Sequence, residues 1–166
     1  MSQTQKQHIS MWGLFALFCL AVLLLQDVVL GKYMPFGAKF FLLPVAALSV
    51  AMHTDTVSGG WFCLLTALFW FLCGGGDAGL YLFLLPLLGC LCCHWCQTVL
   101  QLTALTVSLL SIGGLLVVQL AALAVRMYLE GVGFAALRLP LLQGLLALPF
   151  APVCHLCCRR IRKVGP

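Results

Sequence analysis

Charge is scarce in this sequence. Asp, Glu, Lys and Arg make up 8% of its 166 residues, against roughly 25% in an ordinary soluble domain. A soluble fold of this length must cover its surface with polar groups, and the supply here is too small. Period-two alternation is missing from the long segments, which argues against a transmembrane β-barrel. No Ser-His-Asp order, phosphate loop, pair of catalytic carboxylates or His-Glu-x-x-His pattern occurs. Nothing in the chain reads as an active site, and no cofactor is implied. The basic cluster Arg159, Arg160, Arg162 and Lys163 is too short for a nucleic-acid site, although it can touch anionic lipid.

Apolar sequence is abundant. Hydrophobic residues make up 63% of the chain, and long apolar runs with few charges are the mark of helices that span lipid. The reading is an all-α polytopic membrane protein of about six transmembrane helices, in one domain covering residues 1–166. Short tails at 1–10 and 156–166 flank it. Six spans of about 20 residues leave no room for a soluble catalytic domain.

Glycines, prolines and the few charges divide the spans. The first covers 11–30, too long for a signal-peptide core and without a cleavage site after it, so it is read as retained. The second covers 36–52, with a kink expected at Pro44. A polar connection at 53–58 leads to the third span, 59–73, and a glycine turn at 74–77 to the fourth, 78–95. The fifth covers 98–129 without a break, either tilted or projecting into water. The sixth covers 134–154 and carries Pro140, Pro149 and Pro152. Five spans is the alternative, with the third re-entrant.

Basic residues set the orientation. The Arg159–Lys163 cluster directly follows the last span, which places the C-terminus in the cytoplasm. An even span count then places the N-terminus, with Lys6, on the same side, and Lys32, Lys39, Arg126 and Arg138 on the other. Asp27, Asp55 and Asp77 all reach an interface, and no charged residue falls at mid-bilayer depth. That argues against a proton- or ion-coupled pump. Arg126 and Glu130 are four apart and can pair on one helix face, and Arg138 can snorkel outward. The tryptophans Trp12, Trp61, Trp70 and Trp95 mostly fall near span ends, as an aromatic belt does.

Ten cysteines raise the question of a metal. Cys90, Cys92, Cys93, His94 and Cys96 end the fourth span; Cys154, His155, Cys157 and Cys158 end the sixth. In the six-span arrangement both groups lie at one face. No loop between them is able to fold around an ion, so the cysteines are read as small apolar residues, with no metal site. Gln101, Thr103, Thr106, Ser108, Ser111 and Gln119 in the fifth span are read as glue between helices, and Gly113-Gly114 as a close helix contact.

From about Pro35 to Lys163 the chain resembles a family, the bacterial rod shape-determining protein MreD. The features that carry the likeness are Pro35 opening the second span, then a glycine-opened third span, a small-residue turn and Gly79-Leu80-Tyr81. Gly89 stands ten residues after Gly79, and Pro149 and Pro152 precede Arg159-Arg160-Ile161-Arg162-Lys163. One departure is in the third span, where the family usually has an aspartate and this chain reads Thr66-Ala67-Leu68-Phe69-Trp70-Phe71. The resemblance implies a six-helix inner-membrane protein that acts without catalysis. It would bind the single-span scaffold MreC in the machinery that directs peptidoglycan synthesis, with peptidoglycan synthases and the MreB filament, and so maintain rod shape. It also implies a fold like the substrate-binding subunits of energy-coupling-factor vitamin transporters, which supplies the second reading. Against that reading, the docking pattern Ala-x-x-x-Ala is absent from the first span, where Ala16 and Ala21 are five apart. The positions expected to pack helices or touch a partner are Asp77, Gly79, Gly89, Gly113, Gly114, Arg126, Glu130 and Arg138.

Overall fold

A computed structural model describes residues 3–32, 38–73, 78–131 and 133–163, and among these the regular structure is helical. Helix α1 (Gln3–Leu24) runs into a wider π-helical turn, Leu25–Val29. The remaining helices are α2 (Leu43–Met52), α3 (Thr56–Leu72), α4 (Ala78–Thr98) and α5 (Ala104–Glu130). A short 3-10 turn, Phe134–Leu137, leads into α6 (Arg138–Ala147), and α7 (Phe150–Arg162) closes the chain. Three segments are long and apolar enough to cross a membrane: Gln7–Val29, Gly79–Thr98 and Ala104–Glu130. The pair Ala135–Ala147 and Phe150–Arg162, bent by 47°, makes a fourth if it counts as one span.

The second expected span is much shorter than its sequence suggests. Residues 38–42 are not helical, and α2 has ten residues, about 15 Å against a hydrocarbon core of about 30 Å. The kink expected at Pro44 does not occur, because Pro44 falls in the first turn of α2. There its missing N–H is one that no helical carbonyl would have received. All ten residues of α2 are buried, with α1, α3, α4, α5 and α7 around it. A helix apolar on every side belongs inside such a bundle, and Ala46, Ala47, Ser49 and Ala51 let neighbours come close.

The start of α2 is buried within a bundle of membrane helices, so its first N–H groups have no water to bond. Gln26 supplies the acceptor. Its side-chain Oε1 receives the N–H of Leu42 at 2.8 Å and of Leu43 at 3.0 Å. The π-helical turn, where Leu30 N–H reaches back to Leu25 O, presents Gln26 inward at 5% exposure while Leu25, Val28 and Val29 face out.

The later breaks also differ from the sequence reading. The fifth span does not start at Thr98, which ends α4. Thr103 caps α5 in a reciprocal pair with Thr106: each backbone N–H donates to the other's hydroxyl, at 3.3 Å and 3.0 Å. This capping box fixes the helix start inside a stretch that hydropathy alone reads as continuous. Gly131 ends α5 with φ of 66°, a left-handed conformation that glycine adopts without a Cβ penalty. The sixth segment is bent at Leu148–Pro149, and its helix continues to Arg162. Residues 156–162 are therefore helical rather than part of a tail. Likewise α1 begins at Gln3, within the expected N-terminal tail.

Successive helices run between two ends of the bundle. At one end His8, Met52, Asp55, Cys96, Gln97 and Arg162 line a single cavity, so the start of α1 and the end of α7 lie together. Toward the other, Trp70 of α3 stacks edge-on against Tyr81 of α4 at 4.9 Å and against Phe41 at 5.6 Å. Trp70 is 6% exposed, an interior residue rather than part of a belt.

Removing the Gln26 acceptor should therefore be costly. Gln26→Leu strands two buried N–H groups at about 1–3 kcal/mol each, so a loss of roughly 2–6 kcal/mol is expected in reversible unfolding in micelles. Gln26→Glu keeps an acceptor and should recover most of it. Equal stability of Gln26→Leu and the parent would contradict the capping role.

Candidate functional site

Helix α1 has the least buried of the three long spans, 22% of its apolar window against 44% for α5. Between α1 and α3 this leaves a groove of about 650 Å³. Trp12, Gly13, Ala16 and Leu20 form one wall, Phe62, Leu65 and Phe69 the other, and Leu43 of α2 reaches its floor. Trp12 and Phe62 close one end with ring centroids 5.8 Å apart. The polar side chain in the lining, Thr66, already donates to Phe62 O at 2.8 Å. The groove thus offers shape and dispersion contact but no charge. Gly13 and Ala16 leave the α1 backbone open to close approach: a Cβ at Gly13 meets nothing within 4 Å. Small residues three or four apart are what membrane helices use to pack closely.

The positions singled out from the sequence are scattered over the bundle. Gly89 is buried against α3, where an added Cβ would come 2.7 Å from Cys63 Sγ. Gly114 is buried against α2, and a Cβ there would lie 2.6 Å from Leu48 Cδ1. Gly79 and Gly113 face open space. Arg126 and Glu130 line a small cavity of about 170 Å³ between α5 and α6, with Gln119 and Gln143. Arg138 is exposed at the start of α6. Asp77 lies outside the described residues.

Two cysteine groups were expected to share one face, and the structure divides them between different contacts. Cys92 and Cys96 pack with Cys63 in one apolar cluster, and Cys154 and Cys158 with Cys19 in another. Cys93 and Cys90 instead donate to the carbonyls of Thr54 and Thr56, at 3.1 Å and 3.6 Å. With Gln97, which also reaches Thr54 O, they tie the α2–α3 turn to the end of α4. Among the described residues no three His, Cys, Asp or Glu side chains gather as metal ligands do. Of the polar residues in the fifth span, Ser111 joins two helices, its Oγ 3.2 Å from Ser49 Oγ of α2. Thr103, Thr106 and Ser108 bond within their own segment.

Sequence reasoning passed over Gln26 and His53. An amide inside an otherwise apolar run was the signal for Gln26. His53 carried no comparable signal, since its Nδ1 lies 2.7 Å from the backbone carbonyl of Ser49, a group any residue supplies. His53 stands in the α2–α3 turn, 3% exposed. Burial holds its imidazole below the usual histidine range; the Ser49 bond opposes this, while His155, Arg162 and Arg159 add to it.

Comparison with protein-family models, with curated proteins and with solved structures finds no match.

Two expectations follow. Gly89→Ala should cost about 1–3 kcal/mol through overpacking, measured by thermal unfolding, and Cys63→Ala in the same chain should recover much of it. Gly79→Ala should be close to neutral, and equal costs at Gly79 and Gly89 would contradict the packing. The second concerns acid. A depressed folded-state pKa at His53 means the folded chain takes up a proton less readily than the unfolded one. Its stabilising effect is full above the ordinary histidine value of about 6.5 and is lost as pH falls below it. In phosphate-free buffer the unfolding midpoint should drop between pH 7.5 and 5.5, and drop less in His53→Gln. An unchanged slope in the variant would count against this.

Proposed function

We propose that this chain is a non-catalytic, MreD-like component of the bacterial cell-elongation machinery. It holds the transmembrane helix of a single-span, MreC-like scaffold in the groove between α1 and α3. In this reading it crosses the inner membrane six times with both termini in the cytoplasm. Through the scaffold it helps direct peptidoglycan synthases along the MreB filament and maintain rod shape. The family's likeness to energy-coupling-factor substrate-binding subunits belongs to the same proposal.

The observation that supports this best is the groove itself. It is lined mainly by apolar side chains, and one wall carries the small residues Gly13 and Ala16 of the least buried long helix. The shared end of α1 and α7 supports an even number of crossings. Arg159, Arg160 and Arg162 at that end support its placement in the cytoplasm. The vitamin-transporter reading needs a polar pocket at the opposite end. The cavity between α5 and α6 there is about 170 Å³, below the roughly 300 Å³ at which ligand pockets begin.

Filling the groove separates the readings. A Cβ added at Gly13 meets nothing within 4 Å, so for Gly13→Leu stability should hold while co-purification of a single-span coiled-coil protein from native membranes falls roughly tenfold or more. Gly113→Leu, on a different open face, should leave that recovery unchanged. Loss at Gly113 and not at Gly13 would move the interface to α5. Recovery of a coupling subunit with two ATPases would replace this reading with the transporter one.

A further inference from the structure

The end of the bundle where α1 starts and α7 finishes holds a second cavity, of about 460 Å³, bounded by the end of α2, the start of α5 and the last turns of α7. His53, Thr103, Ala104, His155, Arg159 and Arg162 line it. The two imidazoles stand with centroids 5.0 Å apart, and each residue is 3% exposed. Among the described residues His53 Nε2 and His155 Nδ1 have no hydrogen-bond partner. Buried polar atoms in that condition are rare and costly, which points to something that completes them.

The surroundings specify its charge. Among the described residues two guanidinium groups line the cavity and no carboxylate does; Asp55 lines the neighbouring one. The 27-residue α5 begins here, and its first N–H groups at Ala104 and Leu105 have no intrahelical acceptor. A helix start carries partial positive charge, as anion sites require. A metal cation would meet the same two guanidiniums and be repelled.

We propose that this cavity binds a phosphomonoester group, carried either on a lipid headgroup or as free phosphate. His53 Nδ1 faces a carbonyl, which only accepts, so the ring proton sits on Nδ1 and Nε2 is bare in the neutral ring. A phosphomonoester near neutral pH still carries a P–OH in part of its population, and that hydroxyl donates to Nε2. Arg159 and Arg162 donate to the unprotonated oxygens. A phosphodiester or sulfate is charged but has no proton to give, so the site discriminates against both.

Purified protein in phospholipid-free micelles is titrated with inorganic phosphate and, at equal ionic strength, with sulfate, while unfolding is followed. The same protein in phosphatidylcholine nanodiscs with equal fractions of phosphatidate and phosphatidylglycerol is examined for retained lipid by native mass spectrometry. Phosphate should raise the unfolding midpoint and sulfate should not, or phosphatidate should be retained over phosphatidylglycerol. A response to phosphate alone assigns the site to free phosphate, and lipid retention alone assigns it to a headgroup. Arg159→Gln with Arg162→Gln should weaken binding roughly tenfold or more; both residues are exposed, so the fold should tolerate the change. His155→Gln, which keeps the charge, should also weaken it and decides the matter if the double variant fails to fold. Arg160→Gln with Lys163→Gln removes the same charge outside the cavity and should leave binding intact. Neither response, an equal response to sulfate, or equal loss from the Arg160/Lys163 pair would overturn the assignment.

Discussion

Everything in this bundle is arranged around one backbone problem. A ten-residue helix spans only about half of a hydrocarbon core, so its first turn begins at depth, where no water reaches the N–H groups of Leu42 and Leu43. In lipid such groups must be bonded within the protein. The Gln26 carbonyl meets both, and the π-helical turn in α1 brings it there. The consequence is that α2 can be short and central, with α1, α3, α4, α5 and α7 around it. The hydrophobic effect does not pull helices together in lipid; packing and the few interhelical hydrogen bonds do.

Packing is accordingly tight where side chains are small. Gly60 and Gly89 admit the sulfurs of Cys90 and Cys63, so α3 and α4 close on each other, and Gly114 and Gly144 admit Leu48 and Leu116. Several cysteines act here as compact space-fillers of the glycine seams. Cys93 bonds the Thr54 carbonyl in the α2–α3 turn, and Cys90 bonds the Thr56 carbonyl at the start of α3.

Much of this was legible in the sequence. The charge deficit and the apolar runs define a helical membrane protein, and glycines and polar residues mark most helix ends within a few residues. What was not legible depended on partners distant in sequence. Nothing near Pro44 shows that it opens a helix rather than bends one. Nothing near Gln26 shows that the N–H donors it accepts from lie sixteen and seventeen residues ahead. The Thr103 cap is a local signal, but hydropathy overrode it. The candidate positions were chosen as glycines and charges, yet the groove between α1 and α3 arises from what is missing beside α1, and an absence of neighbours leaves no mark in a one-dimensional pattern.

The proposed partner groove and the proposed anion cavity both depend on α2. Leu43 reaches the floor of the first, and His53, at the end of the same helix, lines the second. The most direct test of this arrangement is amide hydrogen exchange, residue by residue, on the protein in lipid nanodiscs. The account predicts that the Leu42 and Leu43 amides exchange as slowly as the middle of α5, far more slowly than Gly131 at its end. Exchange of Leu42 and Leu43 as fast as Gly131 would show that the start of α2 is open to water, and would contradict it.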